Sequence, residues 1–176
     1  MHVKAKQMAF GGLLLALSIV CMVLGSIIET NTLFLLAAAS YFVGIVIREM
    51  NLSAGAAFLI AGILLGFILA PNKFYVISYA AMGCYIWMRE FLWKRLTSYS
   101  GKKSRMMLLW IAKYLVFNIF YVIMICFFGE VLFTRQLSKV MWMIVFAAGQ
   151  VGIFIYDSAY EYVQRSIWGK YRSHIF

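Results

Sequence analysis

"MAFGGLLLALSIVCMVLGSIIETNTLFLLAAASYFVGIVI", residues 8–47, is the stretch on which the fold turns. As one helix it would run about 60 Å at about 1.5 Å per residue, twice the ~30 Å hydrocarbon thickness of a bilayer. Its only polar break is Glu29-Thr30-Asn31, so the chain must reverse there and make two apolar helices, 8–28 and 32–47. Working outward, the same pattern recurs. Residues 52–70 and 74–88 are uncharged, 106–129 holds only Lys113, and 140–163 holds only Asp157 and Glu161. The expectation is an all-α integral membrane protein, with residues 1–176 forming a single transmembrane domain of six helices. The second and fourth spans are short.

Composition agrees. The chain is 65% hydrophobic and 12% charged, against about 45–50% apolar and about 25% charged for soluble domains. There is too little polar surface to coat a water-soluble globule.

Lys and Arg set the expected orientation, because cytoplasmic loops carry their excess. Six spans put Lys4, Lys6, Arg48, Arg89, Lys94, Arg95, Lys102, Lys103, Arg105, Arg165, Lys170 and Arg172 on one side, against Lys73, Arg135 and Lys139 on the other. Both termini are therefore expected to be cytoplasmic, in the plasma membrane of a bacterial cell. The net charge of +10 reads as a topology signal and an attraction to anionic lipid headgroups. Basic residues strung along a membrane face, without a binding module, argue against nucleic acid. The first apolar run is too long for a signal-peptide core and lacks a cleavage site, so it reads as an uncleaved helix. Cys21, Cys84 and Cys126 fall inside spans and read as free thiols.

Several chemistries are excluded. His2 and His174 sit at the extreme ends, which removes a His-dependent hydrolase inside the membrane. Asp157 is the sole Asp, so the Tyr156-Asp157 pair has no second aspartate for aspartyl protease chemistry. No cluster has metal-ligand spacing, and no Gly-rich phosphate loop is present. The expectation is a non-enzyme without cofactor or metal. Binding, transport and scaffolding remain.

Lys113 is the costliest residue in the apolar spans. It lies eight residues from Arg105 and Asp157 lies eight from Arg165, so both sit about 12 Å from the same side. Asn118 and Gln150 repeat the match deeper. A lone Lys or Asp at mid-membrane costs roughly 2.5–3.5 kcal/mol, and a facing partner offsets much of that. Three readings stand: an interhelical pair, snorkelling of Lys113 with Asp157 joining a surface string, or contact with a ligand.

Ala5, Ala9, Gly12 and Ala16 form a narrow small-residue strip on the first helix, which lets another helix approach closely in lipid. Gly55, Gly62, Gly66 and Ala70 make a similar strip on the third. Either strip serves a partner or the chain's own bundle. On the external side, Asn72, Tyr75, Tyr79, Tyr121, Trp142 and Gln150 are candidate walls of a small-molecule pocket, with aromatic sides and few polar groups. The alternative is that the aromatics are interface anchors.

The opening "AKQMAFGGLLLALSIV" and the junction "GFILAPNKFYVISYAAMG" resemble the first helix and the third-to-fourth junction of the S components of energy-coupling factor (ECF) vitamin transporters. The resemblance covers about the first 95 residues. It implies a subunit that binds a vitamin-like small molecule from outside and works with a membrane T component and two ATPase subunits. It also implies that Ala5, Ala9, Gly12 and Ala16 touch the T component, although Gly12 departs from a strict Ala pattern. No vitamin-specific signature is present. Two rivals stay open: a membrane scaffold of the cell-shape family typified by MreD, whose third-span acidic residue is missing here, and a small ion-coupled carrier using Lys113 and Asp157.

Overall fold

The structure, a computed structural model, describes residues 2–96, 102–132 and 139–175. The described chain is helical throughout, with no strand. Helices α1 (His2–Ile27), α2 (Thr32–Glu49), α3 (Leu52–Leu69), α4 (Lys73–Leu96), α5 (Lys102–Leu132) and α6 (Lys139–Tyr162) follow in order. Past α6 the chain stays helical through a π-helical segment, Val163–Trp168, into α7 (Gly169–Ile175). The side chains of Cys126, Glu130 and Arg135 lie outside the described residues.

Local chemistry explains the turns. Glu29–Asn31 forms one 3-10 turn, and the Thr32 hydroxyl donates to the Gly25 carbonyl at 2.7 Å across it. The Asn51 side chain accepts from the Ala54 amide at 2.8 Å and caps α3. This satisfies an amide that the first helical turn cannot pair. Beyond Pro71, the Asn72 side chain accepts from the Phe74 amide at 3.0 Å, opening α4. The Lys73 ammonium turns back to the Phe67 and Ala70 carbonyls at 2.6 and 2.8 Å.

Five helical stretches are long and apolar enough to cross a membrane: Ala5–Ile27, Thr32–Glu49, Leu52–Leu69, Met106–Ile123 and Val140–Arg172. The chain is thus a multi-pass membrane protein in its helix lengths and polarity. Helix α4, though 24 residues long, is not among them, because tyrosines and the charges of its second half dilute its apolar character. It also does not stop at Met88. Arg89 and Glu90 look like a membrane edge, but both are buried in ion pairs, and the helix continues to Leu96.

The helices form two compact units, Met1–Arg95 and Leu96–Phe176. In the first, Met22, Leu36, Val43, Val46, Ile47, Val76, Tyr79 and Ile86 are fully buried. Glycines set the helix spacing. Ile47 lies against Gly55, Tyr79 over Gly62, Met22 and Val76 against Gly66, and Leu59 against Gly83. The small strip of α3 is therefore filled by side chains of its own unit. Large apolar residues cover the outer flanks, among them Leu13, Leu17 and Val20 on α1 and Ile60, Leu64 and Ile68 on α3. In lipid such flanks carry no penalty. In the second unit, Leu109 on α5 and Ile153 and Tyr160 on α6 are buried.

Candidate functional site

Each unit has a polar constellation among its described residues. In the first, a single carboxylate oxygen, Glu90 Oε1, accepts from Arg48 Nη2 at 2.7 Å, Arg48 Nε at 3.2 Å and Arg89 Nη1 at 3.1 Å. Glu90 and Arg89 are almost fully buried, whereas the Arg48 side chain is 31% exposed. Nearby, the Trp87 indole donates to the Leu52 carbonyl at 3.0 Å. This end of the unit also holds the Gln7 side chain, which donates to the Glu49 carbonyl at 3.2 Å. Sequence spacing gave no sign of this cluster, since Arg48 and Glu90 are 42 residues apart. One clue existed: an acid directly beside Arg89 on a rim that is mostly basic.

In the second unit, three polar rungs join α5 to α6. Lys113 Nζ donates to Asp157 Oδ2 at 2.8 Å, with side-chain exposures of 11% and 6%. The ammonium also lies 5.0 Å from the centre of the Trp110 ring, which is attractive for a cation over an aromatic face. Asn118 and Gln150 exchange amide hydrogen bonds of 2.8 and 3.4 Å. The Tyr121 hydroxyl donates to the Val145 carbonyl at 2.7 Å, with its ring on Gly149. Two apolar helices have no hydrophobic drive to associate in lipid, so such bonds and close packing hold them.

The other proposed site residues are distributed unevenly. Tyr79 is 0% exposed in the core of the first unit, and its hydroxyl makes no hydrogen bond among the described residues. Asn72 caps α4. Tyr75 is half-buried and Trp142 exposed. Tyr121 and Gln150 are committed to the α5–α6 rungs. Ala5, Ala9, Gly12 and Ala16 are all exposed on α1, and a side chain built at Gly12 would meet nothing within 4 Å. Among the described residues no three His, Cys, Asp or Glu side chains come together as a metal site. Compared with family models, curated proteins and solved structures, the chain has no match.

Proposed function

We propose that this chain is the substrate-binding membrane subunit of an ECF-type transporter for a vitamin-like small molecule, driven by a separate T component and two ATPase subunits. The observation that carries the reading is the contrast between two small-residue strips. The strip of α3 is filled from within its own unit, whereas Ala5, Ala9, Gly12 and Ala16 present an open, smooth face on α1. Small residues on an open face let a foreign helix come close. The chain would sit in a bacterial plasma membrane as six spans, with α4 crossing inside its neighbours and both termini in the cytoplasm. Among the candidate ligand contacts, Tyr75 of the first unit is half-buried and Trp142 of the second is exposed.

Co-purification with ligand retention is the test. Gly12→Leu and Ala16→Leu should abolish capture of a T component while leaving ligand affinity and thermal stability unchanged. Tyr75→Ala should weaken ligand binding and spare capture. A chain that holds no small molecule in any variant is a scaffold, and the transport reading then fails.

A further inference from the structure

The first unit is strongly asymmetric from end to end. One end carries Arg48, Glu49, Arg89 and Glu90, with Lys94 and Arg95 beyond. The other end is formed by the α1–α2 and α3–α4 turns, which Met22 against Gly66 brings together. Around these turns, beside the exposed Thr30, Asn31 and Lys73, stand large exposed apolar side chains: Ile27, Leu33 and Phe34 on one, Ile68, Leu69 and Phe74 on the other. Phe34 and Ile68 are 74% and 75% exposed.

Several polar groups of these turns are paired internally. The Ile28 amide donates to Leu24, Asn31 to Ile28 and Ala70 to Gly66, all through backbone carbonyls. Thr32 Oγ1 serves the Gly25 carbonyl, Asn72 the Phe74 amide, and Lys73 the last carbonyls of α3. A turn in hydrocarbon must satisfy its backbone groups in this way, whereas a turn in water need not. Length points the same way. From Thr32 to Arg48 and from Lys73 to Glu90 the helices rise only about 24–26 Å at about 1.5 Å per residue, against ~30 Å of hydrocarbon.

We propose that, with the charged end at one headgroup layer, the two turns at the opposite end are immersed in the acyl chains of the far leaflet and thin the bilayer above them. The occupant of this apolar surface is lipid hydrocarbon. The exposed Thr30 and Asn31 mark where this end comes closest to the far headgroups. This inference is independent of the transport reading and holds equally for a scaffold.

Site-directed spin labelling of the full chain in phosphatidylcholine vesicles tests it. Labels replacing Phe34 or Phe74, on a background with Cys21, Cys84 and Cys126 changed to Ala, should collide freely with oxygen and hardly at all with a water-soluble nickel chelate. They should match a label at Leu64 and differ from one at Lys94. Nickel collision as frequent at Phe34 and Phe74 as at Lys94 overturns the proposal. Should a labelled variant fail to melt cooperatively, the unlabelled chain answers the same question through mismatch. Its melting temperature should rise on passing from dioleoyl to dimyristoleoyl lipid, and a fall overturns the proposal.

Discussion

Lys113 and Asp157 show how much a single residue decides in this environment. Their depth match is visible in the spacing from Arg105 and Arg165, and the structure has them bonded at 2.8 Å. Asp157→Asn or Lys113→Met leaves one charge in the membrane without its partner, at a cost of about 2.5–3.5 kcal/mol. The double variant should regain most of that loss, because neither charge remains. Thermal unfolding in detergent measures the cycle, and additive losses would mean the pair contributes nothing as a pair. Tyr79 makes the converse case. Nothing in its sequence neighbourhood distinguishes it from an interface tyrosine, because its burial is set by the missing side chain at Gly62 on another helix. A methyl at Gly62 would lie 2.5 Å from the Tyr79 hydroxyl. Gly62→Ala should therefore cost about 1–3 kcal/mol through overpacking, while Gly12→Ala costs almost nothing. Tyr79→Phe should leave stability level or raise it by up to about 1 kcal/mol, since a buried hydroxyl without a hydrogen bond is a liability. A clear loss of stability in Tyr79→Phe would show that the hydroxyl has a partner.

At the scale of elements, the helix ends were largely legible. The apolar runs stop at residues that turn or cap, such as Glu29–Asn31, Asn51 and Pro71-Asn72, so α2 and α3 begin where expected. The end of α4 was not legible, because Arg89 and Glu90 mark a membrane edge only when nothing pairs them. Arg48, from a different helix, does so. The π-helical segment Val163–Trp168 has no sequence signature at all. The Lys73 cap gives a prediction at this scale. Lys73→Met removes both donors to the α3 carbonyls and should destabilise the unit by about 1–3 kcal/mol, as for hydrogen bonds from a charged group. Hydrogen exchange should locate the change at Gly66–Ala70, and an unchanged exchange pattern there would refute the capping role.

For the whole molecule, the proposed orientation rests on charge zoning. A fluorescent protein fused after Phe176 should fold and fluoresce in the cytoplasm, and an alkaline phosphatase fused there should be inactive. The reverse pair of results would invert the proposed topology. The site was less legible than the fold, because apolar runs advertise helices one at a time, whereas a pocket is made by residues that the sequence keeps far apart. One further property follows from the helix that runs unbroken from Val140 to Arg172, 33 residues. At about 1.5 Å per residue it is about 50 Å long, so standing upright it would extend roughly 20 Å beyond a ~30 Å core. At 20.2 kDa the protein is too small to align well as single particles in electron microscopy. That projecting stub offers a remedy: a soluble helical protein spliced in continuous register after Arg172 would share its axis and serve as a rigid fiducial.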